Sequence, residues 1–269
     1  VRVTGLYCYP LKSARGSVLV EACLDPFGIE GDRRWCLVGD DGNVITQRDS
    51  PVLATLEVRA VGDGIELHTD GRAPMAVALP GTDAEPVSVQ VWRDRTGGQA
   101  AGAEADAWLE NLLKRPCRLL YMPPGTHRQV SLDFGRPGDR VSFADGYPLL
   151  LTSEASLADL NRRMELALPM DRFRPNLVID GETPFAEDGW SRIRVGDTEL
   201  RVVKPCARCV VTTTDQRTGA RGKEPLRTLA SFRNAGGKVL FGENLIHDGP
   251  GPLRLGDPVE VLERRTGGS

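Results

Sequence analysis

Histidine is scarce: His68, His127 and His247 are the only three in 269 residues, and they stand far from one another. A structural zinc site needs four protein ligands, so this scarcity removes most of the usual donor sets. Long apolar runs are missing too. Runs such as Leu149-Leu150-Leu151 fall far short of the roughly 20 residues that span a bilayer, and the start Val1-Arg2-Val3-Thr4 does not resemble a signal peptide. The expectation is a cytoplasmic protein with no membrane segment. The chain also lacks a basic excess: its formal charge of -3 argues against general nucleic-acid binding while leaving room for a local basic pocket. Cysteine is thinly spread over Cys8, Cys23, Cys36, Cys117, Cys206 and Cys209, with no secretory signal, so free thiols are expected rather than a disulfide framework. Cys8, Cys36 and Cys117 sit in apolar, strand-like segments and read as small buried hydrophobes.

What is present is a soluble globular composition, 40% hydrophobic and 26% charged, long enough for one large or two medium domains. Short alternating runs between turn residues predict a β-rich, α+β fold. Strands are expected over residues 1–9, 17–24, 35–38, 44–48, 56–61, 65–68 and 87–92, with Asp40-Asp41-Gly42-Asn43 and Gly62-Asp63-Gly64 as hairpin turns. Later strands are expected over residues 173–179, 192–195, 199–203, 209–214, 239–240 and 258–262. Three helices are predicted. One covers residues 103–114 and stops at Pro116; a second covers 153–164, capped by Thr152 or Ser153, with Leu157, Leu160 and Met164 as its apolar stripe; a short third covers 225–232. The turn-rich stretch 123–140 marks the seam between a first domain, 1–122, and a second, 123–265. The polar tail 264–269 is expected to be disordered.

The chemistry concentrates in Cys206-Ala207-Arg208-Cys209. A redox pair, a zinc site and two merely buried thiols are all open readings. The redox reading lacks its helix start, because Val210-Val211-Thr212-Thr213-Thr214 reads as a strand. Three further segments put cations at strand ends: Tyr9-Pro10-Leu11-Lys12-Ser13, Gly31-Asp32-Arg33-Arg34-Trp35 and Arg172-Phe173-Arg174-Pro175-Asn176. Each taken singly is an ordinary solvated surface. Together, lysine, hydroxyl and arginine forks at loop ends are what a phosphate monoester requires, and Asn176 can add amide contacts.

These segments, with Ser153-Glu154-Ala155-Ser156-Leu157-Ala158-Asp159-Leu160-Asn161, make the chain resemble the MOSC proteins that carry an N-terminal MOSC β-barrel domain, of the kind of the mitochondrial amidoxime-reducing component and its bacterial relatives. The resemblance runs from Val1 to about Leu262. It implies a predominantly β, α+β fold made of a MOSC β-barrel domain and a barrel-like N-terminal domain. It also implies a molybdenum cofactor, with Cys209 completing the metal's sulfur ligands, Arg208 favouring its thiolate, and Cys206 a supporting or buried thiol. Lys12, Ser13, Arg33, Arg174 and Asn176 would hold the phosphate and pterin, and Ala207 and Arg208 would line the metal end. Asp145 would accept hydrogen bonds from the pterin ring, unless it is simply the turn residue before Gly146. Asn244 matches a cofactor-contacting position where animal members carry tyrosine.

The implied activity is reduction of N-hydroxylated compounds (amidoximes, hydroxylamines, hydroxylated nucleobases) by oxygen-atom removal at molybdenum, with no side-chain general base. The chain shows neither the hydrophobic N-terminal anchor of mitochondrial relatives nor a cysteine cluster after Cys209 for an iron–sulfur domain. Electrons are therefore expected from a separate flavoprotein, cytochrome b5-like protein or ferredoxin. A protein that carries or matures the cofactor or its sulfur, without turnover, is the alternative, and a degenerate fold without cofactor is a third.

Overall fold

The computed structural model describes residues 1–265, and the last four residues of the expected disordered tail lie outside that range. Arg264 itself closes the strand Val259–Arg264. Strands dominate the described residues, with three α-helices among them, so the fold is the predominantly β, α+β class expected.

The principal sheet runs, in spatial order, Ser17–Leu19, Val3–Cys8, Leu177–Ile179, Leu149–Ser153, Lys238–His247, Thr198–Ala207, Trp190–Val195 and Val259–Arg264. All neighbours along it are antiparallel except Leu149–Ser153 and Leu177–Ile179, which run parallel and are joined through the helix Glu154–Arg162. A parallel pair requires such a crossover. Val3 N–H donates to Asp257 O (3.0 Å) and Val259 N–H to Val1 O (2.9 Å), so the first strand meets the entrance of the last and curls the sheet. Strands from the start of the chain thus share one sheet with strands from beyond residue 148. Inside it pack Leu6, Ile179, Ile193, Leu200, Leu245 and Leu253. A second, five-stranded sheet holds Pro86–Val91, Asp94–Ala100, Arg118–Tyr121, Trp35–Val38 and Val44–Ile45. Beside it, Leu11, Leu37, Leu53, Leu56 and Leu109 form a separate core.

Local sequence accounts for the helices. Ser153 Oγ accepts from Ser156 N–H (3.4 Å) and Glu154 sits in the first turn of Glu154–Arg162. The helix stops at Arg162, short of the expected 164; its Leu157 and Leu160, with Met164 just past its end, pack with Leu229 and with Phe173 and Phe241, whose stacked ring centroids are 4.0 Å apart. Ala103–Leu113 ends on Lys114 in a left-handed cap, just before Pro116. The third helix is Leu226–Phe232, and Cys8, Cys36 and Cys117 are buried, with all six cysteines free.

Several expected strands are corrected. Residues 17–24 form two strands, Ser17–Leu19 and Glu21–Asp25, because Val20 O accepts from Leu255 N–H (3.0 Å) and the chain passes from one sheet to another there. The strand at 44–48 stops at Ile45, since the Asp49 carboxylate accepts from both Thr46 N–H (3.2 Å) and Thr46 Oγ1 (3.1 Å) and closes a turn. Residues 209–214 are not a strand: Val210–Thr213 is a single 3-10 turn, tightened by Thr212 and Thr213 hydroxyls donating to the carbonyls three residues back (2.9 and 2.8 Å). Phe173 ends another such turn, Met170–Phe173, and the strand begins only at Leu177. The strand at 239–240 extends over Lys238–His247. Gly242 within it has φ 77°, and a Cβ there would stand 2.5 Å from Leu151 O, so only glycine fits.

Glu243, next along this strand, is fully buried, and its one ion pair is to Arg265 Nη2 at 2.6 Å. Burial pushes its carboxyl up to about 7 although Arg265 pulls the other way. A raised acid means that the folded chain binds more protons than the unfolded one between the ordinary glutamate range and pH 7. Stability therefore falls as pH rises through that window, by about 3 kcal/mol at most. Denaturant titrations of Glu243→Gln are expected to show a flatter profile from pH 5 to 7.5 than wild type; an equally steep profile would assign the slope to other groups.

Candidate active site

One cleft brings together all ten residues singled out from the sequence: Lys12, Ser13, Arg33, Asp145, Arg174, Asn176, Ala207, Arg208, Cys209 and Asn244. Its empty volume is about 790 Å³, counting the part open to solvent. Five cations, Lys12, Arg33, Arg48, Arg174 and Arg208, line it against the single carboxylate Asp145. On a chain of net charge -3 this is a concentrated positive field.

The cations are held from below. Tyr9 is buried, and the guanidinium carbons of Arg33 and Arg174 both lie 4.3 Å from its ring centroid. Arg33 donates to Asp32 (2.5 Å), to Asn176 Oδ1 (2.9 Å) and to Arg174 O (3.2 Å). Asn176 is itself spent on protein: Oδ1 also accepts from Leu150 N–H (3.2 Å) and Nδ2 donates to Tyr7 O (3.2 Å), so it steadies Arg33. Arg174 donates to Ala14 O (2.6 Å) and to Gln216 Oε1 (3.4 Å). Among the described residues neither Arg174 nor Arg208 has a carboxylate within ion-pair distance. Burial, with Arg33 close by, lowers the guanidinium of Arg174 to about 10. A buried cation without a counter-ion costs the fold several kcal/mol, and an anion in the cleft removes that cost.

Backbone strain gathers here as well. Ser13 (φ 69°), Arg33 (φ 48°) and Arg174 (φ 55°) all take left-handed conformations that side-chain-bearing residues avoid. Each sits where a loop turns back into the cleft, and the turn aims its side chain.

At the other end lies the thiol pair. Thr198–Ala207 delivers Cys206 and Ala207, and Cys209 precedes the 3-10 turn. The expected pairing of Arg208 with Cys209 is corrected: Arg208 Nη1 donates to Cys206 Sγ (2.9 Å) and its Nη2 to Phe173 O (2.6 Å). The cation on Cys209 is Arg48, whose Nη2 lies 3.2 Å from Sγ and 3.4 Å from Asp145 Oδ2. Burial raises the Cys206 thiol in spite of Arg208. Asp145 lines the cleft with its side chain half-exposed, and its other partner is Lys12 Nζ at 2.5 Å. Burial opposes its charge, yet Lys12 and Arg48 together hold the carboxyl well below the usual range. Burial lowers Lys12 in turn. Asn244 Nδ2 donates to Lys204 O (3.1 Å) and so bridges two neighbouring strands at the rim.

Sequence reading missed Arg48, Arg128 and the buried pair Gln47 and Gln216. Arg48 was hidden inside an expected strand; a basic residue in the turn Thr46-Gln47-Arg48-Asp49 was the available signal. Arg128, buried in the loop before the site, donates to Ser142 O, Ala144 O and Asp145 O and to Asp94 (2.6–3.1 Å), which fixes the loop carrying Asp145. Gln47 and Gln216 exchange hydrogen bonds of 3.0 and 3.2 Å, tying the turn of Arg48 to the segment after Cys209. Nothing local announces that pair.

The fold and cleft define a MOSC protein: the MOSC domain profile matches residues 138–260 and the MOSC N-terminal beta barrel domain profile residues 1–116. Within that class the chain belongs to the family of the mitochondrial amidoxime-reducing components. It is 35% identical to mitochondrial amidoxime-reducing component 1 of Homo sapiens, over 97% of this chain and 82% of that one, and 35% identical to the Mus musculus protein at the same coverage. It is 32% identical to the molybdenum cofactor sulfurase of Danio rerio, over 91% of this chain and 32% of that one. No helix among the described residues is long and apolar enough to cross a membrane.

The cost of burying Arg174 with no carboxylate partner among the described residues is directly testable. Inorganic phosphate at about a hundredfold over its dissociation constant should raise stability by about 2.7 kcal/mol, several degrees in Tm. Arg174→Met should abolish that rise while the ligand-free protein melts no lower than wild type. A phosphate-dependent rise that survives in Arg174→Met would place the anion elsewhere.

Proposed function

We propose that this chain is a molybdenum-cofactor-dependent reductase that removes oxygen from N-hydroxylated compounds such as amidoximes, hydroxylamines and hydroxylated nucleobases. The observation that carries the reading is the meeting of Cys209 with the buried cations Lys12 and Arg174 and the part-buried Arg33 in one cleft. The residues fit the group. Arg174, buried with no carboxylate partner among the described residues, suits a phosphate; the partly exposed thiol of Cys209 under the Arg48 guanidinium suits a soft metal. Among the described residues no group of three or more His, Cys, Asp or Glu side chains is placed to hold a bare metal ion. A metal at Cys209 therefore arrives with ligands of its own, as molybdenum does in a pterin dithiolene.

When bound, the cofactor supplies the two-electron removal of oxygen from nitrogen. The chain binds, orients and balances charge. Lys12, Ser13, Arg33 and Arg174 hold the phosphate, with charge-assisted contacts worth about 1.5–3 kcal/mol each. Asn176 keeps Arg33 in place. Asp145, kept ionised by Lys12 and Arg48, would be the acceptor for the amino and imino groups of the pterin ring. Ala207 and Arg208 would line the metal end, the Cys209 thiolate would be the protein's ligand to the metal, and Asn244 would close the rim. Electrons come, in this reading, from a separate donor protein, a flavoprotein, a cytochrome b5-like protein or a ferredoxin.

A second reading, a carrier of the cofactor or of its sulfur, takes its support from the relative named molybdenum cofactor sulfurase. Turnover separates the two. Protein from a cofactor-producing host should reduce an amidoxime with an artificial reductant; inactivity at full molybdenum occupancy would favour the carrier. Cys209→Ala should lose bound molybdenum, measured by metal analysis, while Cys206→Ala retains most of it. Equal losses would overturn Cys209 as the ligand.

A further inference from the structure

Trp92 is the least expected residue at its position. It is one of the two tip residues of the hairpin joining Pro86–Val91 to Asp94–Ala100, where Val91 pairs with Asp94. Its φ is 56°, a place where glycine or asparagine is favoured and where an L side chain costs about 1–2 kcal/mol. It is also 60% exposed, so burial does not compensate. What Trp92 does instead is carry a cation: the Arg48 guanidinium carbon lies 4.5 Å from its ring centroid. The hairpin is fixed in turn, because Asp94 accepts from Arg128, the same side chain that braces the loop of Asp145.

Arg48 differs from the other cleft cations. Lys12 is paired with Asp145, Arg33 with Asp32 and Asn176, Arg174 with Ala14 O, and Arg208 with Phe173 O and Cys206. Both contacts of Arg48, to Cys209 and Asp145, leave from Nη2, which keeps Nη1 and Nε for a ligand. Its side chain is 24% exposed, against 8% for Lys12 and 12% for Arg33. It also lines a neighbouring recess, with Asn43, Thr46 and Gln90, that gives a ligand's tail somewhere to go.

We propose that Arg48, clamped on Trp92, receives the anionic group of molecules that reach Cys209, so that the site selects N-hydroxylated compounds bearing a carboxylate over neutral ones. The substrate class rests on the reductase reading; the anion selection at Cys209 does not. Trp92 is a positioning residue, acting through Arg48.

The test compares alkylation of Cys209 by iodoacetate and by iodoacetamide in the full chain made without cofactor. In both cases the same thiolate attacks the reagent's methylene carbon, forming a sulfur–carbon bond as the carbon–iodine bond breaks and iodide leaves, so the ratio of their rates cancels the ionisation of the thiol. Trypsin cuts after Arg208, which puts Cys209 on a peptide separate from Cys206. Relative to the chain unfolded in denaturant, wild type should favour iodoacetate about tenfold, the lower end of what a focused positive site achieves. Arg48→Met should lose that preference and Arg48→Lys keep part of it. Trp92→Ala, which leaves every charge in place, should lower the ratio, and Trp92→Phe should retain it. An unchanged ratio in Arg48→Met overturns the proposal, and an unchanged ratio in Trp92→Ala overturns the role of the indole. Loss of reductase turnover in loaded wild-type protein would leave these ratios untouched, so the two readings fail separately.

Discussion

Two guanidiniums on one buried tyrosine ring organise this molecule. Arg33 and Arg174 come from loops about 140 residues apart in the chain, yet both stand 4.3 Å from the centre of Tyr9, and Arg33 also bonds the carbonyl of Arg174. Like charges brought together in a low dielectric repel, and desolvation adds to the penalty. Asp32 offsets one of them; the ring face and the carbonyl of Ala14 offset the other only in part. In the proposed reading this arrangement is an anion site, and the buried charge of Arg174 is what an anion would relieve.

Stability given up there is recovered in the sheets. Tyr9 and Lys12 follow the strand Val3–Cys8, Asn176 leads into Leu177–Ile179 beside it, and Asp145 precedes Leu149–Ser153. Three adjacent strands thus open onto one rim, and Thr198–Ala207 brings the thiol pair to the same rim two strands further on. Left-handed residues at Ser13, Arg33 and Arg174 are the means by which loops of this sheet and its neighbour turn their charges inward. The segment bearing Cys209 and the turn bearing Arg48 belong to different parts of the chain, and the Gln47–Gln216 pair locks them together.

Much of this was legible in sequence where the signal is local. The cap and stripe of Glu154–Arg162, the stop of Ala103–Leu113 and the hairpin at Gly62-Asp63-Gly64 depend on neighbours within a few residues. All ten candidate site residues lie in quoted motifs or matched positions, and they do line one cleft. What escaped depends on contacts distant in sequence. Leu149–Ser153 is buried along its whole length, so no alternation marks it as a strand. Thr212 and Thr213 have high β propensity, but their hydroxyls turn back on the carbonyls behind them. Arg48 lay concealed by the same kind of error, a turn closed by Asp49 inside a run that looked extended.

Anomalous scattering at the molybdenum edge, from crystals of protein made in a cofactor-producing host, tests the central claim most directly. The account predicts a single peak within bonding distance of Cys209 Sγ and a phosphate among Lys12, Arg33 and Arg174. A metal peak away from Cys209, or a phosphate outside the reach of those three side chains, would contradict it.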